Sequence, residues 1–395
     1  MRVRIRLLSA TLLTVVMLTH LAGSAVRVGA QPTLPGNALV QVFSNQPGGS
    51  FIAAFSPNVQ GIFRQPVDDA GLSVISPDGQ FVASTDRSNF INYGANGGQT
   101  NQIKLYQSYY LNEMRYSRDS RWLLYSMTSL ELGRYMIGML EIITGKRLEF
   151  IGKSDDFSVV GPRKAALPLD FDGSRLLLAG FVPFSDAGFG GLFAMPLPDL
   201  AAYGTGQYGM PNAQPLIGEN ASVLTYVVSP DSRWVAYLYN DPNNPAQSFQ
   251  PLGPSMSVNS LAVTSLITGE TRILAKAGPG QALGTLGWFP DSSRILFTGG
   301  NYQNSYYLLY AKMYSVTVPD AVVIELGPSV SEPTQYTSAM MPCGTTLYSV
   351  VTRDTLAGAL PENLLLSSPL DGPTTYRVLA VSPSGFQLIG CTPLS

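Results

Sequence analysis

Histidine is nearly missing from this 395-residue chain, and its one copy, His20, sits in an N-terminal stretch that reads as a leader. Without that residue no Ser-His-Asp or Cys-His catalytic arrangement can be built, and imidazole metal sites go with it. Cysteine is also scarce: two residues cannot make a four-cysteine zinc site. Charged residues make up only 13% of the chain and form no Lys/Arg cluster, so nucleic acid is not an expected partner. Long apolar runs are lacking too. The run "LLSATLLTVVML" at 7–18 is too short and too interrupted for a comfortable membrane span.

That run has a different meaning. It follows the basic start Arg2, Arg4 and Arg6 and leads to the small residues Val28-Gly29-Ala30, the order of a secretory signal peptide. Cleavage after Ala30 is the first expectation and after Ala25 the second; an uncleaved anchor is the alternative. Ser24 in "LAGS" occupies the place of a lipid-bearing cysteine, which excludes lipidation there. Cleavage after Ala30 removes Arg2, Arg4, Arg6 and Arg27, leaving 20 basic against 26 acidic residues, a formal charge of −6. The expected organisation is a signal peptide at 1–30, a short flexible lead-in at 31–37 and one domain from 38 to 395. A secreted, periplasmic or envelope location follows from the leader.

What the chain has in abundance is one phrase. "ISPDGQFVAST" (75–85) returns as "YSRDSRWLLYS" (116–126), "DFDGSRLLLAG" (170–180), "VSPDSRWVAYLYN" (228–240) and "FPDSSRILFTG" (289–299). Weaker copies are "MPCGTTLYSVV" (341–351) and "VSPSGFQLIGC" (381–391). Proline presets the turn, Ser and Asp bond nearby amides, and Gly accepts positive φ. β-Branched and aromatic runs flank the turn, so each copy reads as a β-hairpin. Three copies carry Ser (Ser120, Ser232, Ser292) where Gly stands in "SPDG", at a cost of about 1 kcal/mol if the residue is left-handed. The turns near Asp78, Asp119, Asp172, Asp231, Asp291, Cys343 and Ser384 are 41 to 60 residues apart. Two further strand candidates lie between hairpins, joined at Thr144-Gly145-Lys146 in one copy and Thr268-Gly269-Glu270 in another. That period predicts an all-β propeller of four-stranded blades, strands A to D outward, with the phrase at the A–B turn. Seven blades are expected, with six as the alternative. The runs 38–43 and 50–55 are expected to supply the outer strands of the last blade, pairing the two ends of the chain.

The "SPDG" turn followed by an aromatic or aliphatic strand, with the later "TG" hairpin, resembles the TolB-like family of WD40-like propeller repeats over about residues 66–391. The resemblance implies a secreted or periplasmic propeller serving as a platform for protein partners. Residues 31–65 are too few for the α/β domain that precedes the propeller in TolB, so a propeller standing alone is expected.

Candidate sites follow from this layout. "GTGQYG" (Gly204 to Gly209) matches the dinucleotide fingerprint literally, but "MPNAQP" after it cannot open a helix, so it reads as a long C–D loop. Asp68, Asp69, Asp155, Asp156, Glu219 and Glu332 fall in expected D–A connections and could form an acidic rim at the channel mouth, with calcium as the one cation it would suit. The same face is expected to bear the loops at 86–99, 181–191 and 239–254, rich in Asn, Tyr, Phe and Pro. Trp122 and Trp234 are expected to pack between blades, and Asn220-Ala221-Ser222 is a glycosylation sequon only in a host that glycosylates. A Cys343–Cys391 disulfide is considered and disfavoured: Cys391 lies seven residues past the next turn, towards the opposite face if that turn joins strands A and B. The functional expectation is a non-enzymatic, monomeric platform for a protein or glycan, with no resident cofactor. The alternative is a carboxylate-based enzyme, a glycoside hydrolase or calcium-dependent hydrolase, acting through the acidic rim.

Overall fold

The computed structural model describes residues 37–42, 51–57, 64–66, 72–85, 89–96, 98–129, 131–153, 165–181, 189–197, 199–217, 223–241, 243–244, 258–303, 307–328, 335–353, 362–372 and 375–392. Three strands come first: β1 (Asn37–Val42), β2 (Phe51–Phe55) and β3 (Arg64–Pro66). The first complete blade is β4 (Ser73–Ile75), β5 (Phe81–Thr85), β6 (Phe90–Ala95) and β7 (Thr100–Lys104). The second is β8 (Tyr110–Tyr116), β9 (Trp122–Ser129), β10 (Arg134–Glu141) and β11 (Arg147–Lys153). The third is β12 (Ala165–Phe171), β13 (Arg175–Phe181) and β14 (Phe189–Pro196), followed after an insertion holding β15 (Gly206–Gly209) by β16 (Gln214–Ile217). The fourth is β17 (Val223–Val228), β18 (Trp234–Tyr239), β19 (Ser260–Ser265) and β20 (Thr271–Lys276). The fifth is β21 (Gln281–Trp288), β22 (Arg294–Gln303), β23 (Tyr307–Thr317) and β24 (Val323–Pro328). The sixth is β25 (Gln335–Cys343), β26 (Thr346–Arg353), β27 (Glu362–Pro369) and β28 (Arg377–Ser382), after which β29 (Phe386–Thr392) ends the strand order.

Strands β4, β8, β12, β17, β21, β25 and β29 each touch the next and the last touches the first, so seven inner strands close a ring. The molecule is a seven-bladed, all-β propeller. A single bridge, Phe189 to Val223, links the sheets of the third and fourth blades.

The recurring phrase works as a cassette. In the first copy the Ser76 hydroxyl donates to Asp78 Oδ1 at 2.5 Å and accepts from the Phe81 amide at 2.9 Å, while Asp78 accepts from the Gln80 amide. Ser117 with Asp119 and Ser229 with Asp231 repeat these bonds, including the amides of Trp122 and Trp234. Amides on both sides of the turn are thereby satisfied by its own Ser and Asp side chains, and strand B leaves it in a fixed direction. Ser120, Ser232 and Ser292 do adopt left-handed backbone, with φ of 60°, 55° and 60°. Two of them gain an inter-blade bond in return: Ser120 Oγ accepts from the Asp78 amide of the blade before it, and Ser292 Oγ from that of Asp231. Glycine could relieve the backbone but could not make that bond.

Closure differs from expectation in one respect. The last blade runs β29-β1-β2-β3, so the C-terminus supplies only the inner strand and the N-terminus supplies three. β29 pairs antiparallel with β1, Val42 opposite Phe386 and Ala38 opposite Cys391. The segment containing "RVLAVS" is therefore the outer strand of the sixth blade, and the turn at Ser384 joins strand D to strand A. This shift also overturns the argument against the disulfide. Inner strands of neighbouring blades run the same way, so the ends of β25 and β29 lie side by side on one face. Cys343 and Cys391 are joined in a disulfide, with their Cα atoms 5.7 Å apart.

Packing between blades forms the core. Trp122 is 2% exposed and meets Phe171 of the next blade edge-on, ring centroids 6.0 Å apart, in a cluster with Leu148, Phe150 and Leu176. Trp234 packs with Trp288 and Phe297 at the junction of the fourth and fifth blades. Both tryptophans are packing residues, as expected. The "GTGQYG" segment lies between strands C and D of the third blade, and its residues Gly206–Gly209 form β15, which adds parallel to β11 as a fifth strand of the second blade. Tyr203 and Tyr208 of the insertion lie against Phe150. A strand, and no helix, occupies the place where a dinucleotide site would need a helix N-terminus.

Candidate functional site: the long-loop face

The B–C and D–A connections emerge on one face of the ring, and the A–B and C–D turns on the other. On the first face the described residues build one polar network at the root of the long B–C connection of the fourth blade. Asn259, just before β19, accepts from the Asp241 amide through Oδ1 at 2.8 Å. Its Nδ2 donates to Asn240 Oδ1 and to the Asp241 carbonyl. Asn244 Nδ2 donates to the Asn259 carbonyl at 3.0 Å and to that of Ala277 at 3.4 Å. The two ends of the connection are thus tied to each other and to the D–A connection that starts at Ala277. Lys276 Nζ meets Asp241 Oδ2 at 3.1 Å. The Asn243 amide, with Lys276 beside it, holds the Asp241 carboxyl below the usual carboxylate range. Burial, with Asp241 and Tyr237 nearby, pushes the Tyr239 phenol up to about 12. Asp241 therefore stays an anion and Tyr239 a neutral phenol through the physiological range.

The expected loops divide differently from their reading in the sequence. Of 86–99, the residues Phe90–Ala95 are strand β6, so only 86–89 connects strands B and C, while 96–99 turns on the opposite face. Phe181 closes β13 and residues 189–191 belong to β14, so 182–188 is the B–C connection there. Of 239–254, Tyr239 closes β18 and the rest falls between β18 and β19; residues 245–257 lie outside the described residues. The six rim carboxylates keep their place in the strand order: Asp68 and Asp69 between β3 and β4, Asp155 and Asp156 between β11 and β12, Glu219 between β16 and β17, and Glu332 between β24 and β25. All six lie outside the described residues, as does the Asn220 sequon. Among the described residues no group of three His, Cys, Asp or Glu side chains could hold a metal.

Two charged nodes elsewhere escaped the sequence reading. On the A–B face, Arg118 stands where five copies of the phrase have Pro, and Asp170 where four copies, among them Ser76, Ser117 and Ser229, have Ser. The exchange is coupled: the amide that proline lacks donates from Arg118 to Asp170 Oδ1 at 3.0 Å. The guanidinium then reaches the Asp172 carbonyl at 3.2 Å and the Ser232 carbonyl at 3.5 Å, tying the second, third and fourth blades. Asp170 is 3% exposed, and burial pushes its carboxyl up despite the lowering effect of the Arg118 and Phe171 amides, the Arg118 charge and the Ser232 hydroxyl. Two departures from one motif in adjacent repeats were the available signal. At the outer junction of the first and second blades, Glu149, 3% exposed, pairs with Arg147 and accepts from Tyr106 at 2.8 Å and Tyr125 at 3.0 Å. Gln207 of β15 donates to Tyr106 Oη at 2.6 Å, closing the node over the insertion. Burial pushes both phenols up, with Glu149 adding to it, so they act as donors that fasten three chain segments.

No protein-family model matches the chain, and no curated protein matches it in sequence. Solved structures do. The chain is similar in fold to an oligogalacturonate lyase from Vibrio parahaemolyticus, at 11% identity over 88% of this chain and 86% of the other, TM-score 0.52. An oligogalacturonate lyase in complex with manganese matches at 11% identity, 88% and 85% coverage, TM-score 0.52. TolB from Acinetobacter baumannii matches at 13% identity, 90% and 82% coverage, TM-score 0.41. At 11% identity the two lyase matches carry the fold alone.

Proposed function

We propose that the chain is an exported, non-enzymatic binding platform that holds a protein or glycan partner on its long-loop face. The observation that carries this reading is the Asn259–Asp241–Asn244–Lys276 network, which anchors both ends of a long connection rich in Asn, Gln and Pro on a rigid ring. Such a root lets the connection vary and contact a partner without disturbing the blades. The basic-apolar-small order of residues 1–30 supports export, and a disulfide suits an oxidising compartment. The rival reading, a carboxylate-based enzyme, rests on Asp68, Asp69, Asp155, Asp156, Glu219 and Glu332 in the D–A connections of the same face.

The test replaces residues 245–257 with a short Gly/Ser link and compares capture from the native envelope fraction. The expected result is loss of the partner that the unaltered protein retains, with substitution of Ile143 on the opposite face having no effect. Retention of the same partner by the shortened protein sinks the platform reading. Polysaccharide cleavage lost on replacing the six carboxylates by amides would replace it with the enzymatic one.

A further inference from the structure

At three junctions of the ring, first to second, second to third and fourth to fifth blade, neighbouring A–B turns are stitched by hydrogen bonds, and the turn of the sixth blade is linked differently. Asp78 to Ser120, Arg118 to Asp170 and Asp231 to Ser292 are the hydrogen-bonded stitches. The sixth copy of the turn, Pro342-Cys343-Gly344-Thr345, carries neither the Asp nor the Ser of the cassette. Cys343 occupies the Asp position of that turn, and it is here that the covalent bond to Cys391 runs to the seventh blade. The disulfide thus takes the place of a hydrogen-bonded stitch between the sixth and seventh blades, and it holds the strand, β29, that pairs the C-terminal end of the chain with β1.

The strand it holds is the one on which ring closure turns. Among the described residues β29 is the one strand that the C-terminal end gives to the last blade, where it pairs with β1 from Thr392 opposite Asn37 to Phe386 opposite Val42 and lies beside β25 of the sixth blade. Residues Gln387 to Cys391 are half-buried, whereas Trp122 to Ser129 of β9 are buried throughout. Cys343 is 1% exposed, and Cys391 is the more open partner.

We infer that Cys343–Cys391 is a redox latch on ring closure: oxidised, it fastens β29 to the sixth blade; reduced, it leaves β29 as the first strand to open. Reduction breaks the Sγ–Sγ bond. A dithiol supplies two electrons and two protons, giving two cysteine thiols and itself becoming a disulfide. Re-formation passes the same electrons and protons to a disulfide oxidant. This inference is independent of what binds the long-loop face.

Native-state hydrogen exchange on the full chain tests it, before and after dithiothreitol, with alkylation and mass measurement confirming two free thiols. The expected result is that the amides of Phe386–Thr392 accelerate at least about tenfold more than those of β9 and β10. A Cys343→Ser/Cys391→Ser variant should show the same contrast without reductant. Equal acceleration of β29 and the second blade, or none in β29, overturns the latch. If the variant fails to accumulate, the reduced wild-type protein still decides between these outcomes.

Discussion

Replacing Ser120 separates two opposing effects that the turn cassette superimposes. Its φ of 60° puts a side chain where glycine is favoured, which costs about 1 kcal/mol. Its hydroxyl accepts from the Asp78 amide at 3.1 Å, a bond worth about 1 kcal/mol between partly buried partners. Ser120→Gly removes both terms, so unfolding free energy should change by less than about 0.5 kcal/mol. Both replacements take the acceptor from the Asp78 amide, but Ser120→Ala also keeps a side chain on the left-handed backbone. For Ser120→Ala a loss of about 1–2 kcal/mol is expected. Ser292, with φ of 60° and a 3.0 Å bond from Asp231, should repeat the contrast in the fourth and fifth blades. The assay is urea unfolding followed by tryptophan fluorescence, since Trp122 and Trp288 report on the blades concerned. Equal losses for Gly and Ala would refute the backbone strain. A neutral Ser120→Ala would refute the stitch.

Three other outcomes are expected. The disulfide closes a loop with a sequence separation of 48, so by chain entropy Cys343→Ser/Cys391→Ser should lower unfolding free energy by about 4 kcal/mol, read from denaturant midpoints. Asp170 has its carboxyl pushed up by burial, so the folded state holds its proton more tightly than the unfolded chain and this group's contribution falls as pH rises between the two pKa values. Asp170→Asn should therefore match or exceed wild-type stability at pH 7, and its advantage should vanish below the unfolded carboxylate range, near pH 3.9; a loss at pH 7 that persists in acid would count against this. Arg147→Met leaves Glu149, 3% exposed, without its cationic partner and should cost about 3 kcal/mol, with Arg147→Met/Glu149→Gln recovering much of it in a thermal melt.

The fold was legible because its turns are chemically repetitive. Ser76, Ser117 and Ser229 repeat the same three bonds with the Asp two residues on, and the phrase could be counted wherever the cassette survives. Reading stopped where chemistry varies between copies. The Arg118–Asp170 exchange looked like decay of the motif until the amide freed by replacing proline was seen to donate to the new carboxylate. Glu149 gave no pattern at all, because its partners Tyr106, Arg147 and Gln207 come from two blades and an insertion. The root of the long loop was equally silent: Asn240, Asp241, Asn244 and Asn259 are ordinary loop residues in sequence, and only the chain's return at β19 makes them a network.

The cysteine pair shows how one error of phase propagates through a repeat protein. Taking the turn at Ser384 as an A–B corner places Cys391 at the far end of a B strand, out of reach of Cys343. The paired registers instead make 377–382 the outer strand of the sixth blade, so Ser384 turns on the long-loop face and β29 descends to the other. Seven residues beyond that turn is then the same depth as the end of β25. The distance along the strand was right and only its starting face was wrong. A signal for the correct phase was present in the strand that precedes each turn. Leu364 to Leu366 pair with 378–381 as third strand to fourth, and no further strand lies between 382 and 386 to serve as a new inner strand before the corner. Counting strands forward in fours from the cassette at Asp231, which retains both Asp and the Ser before it, would have put β29 innermost and predicted the bond.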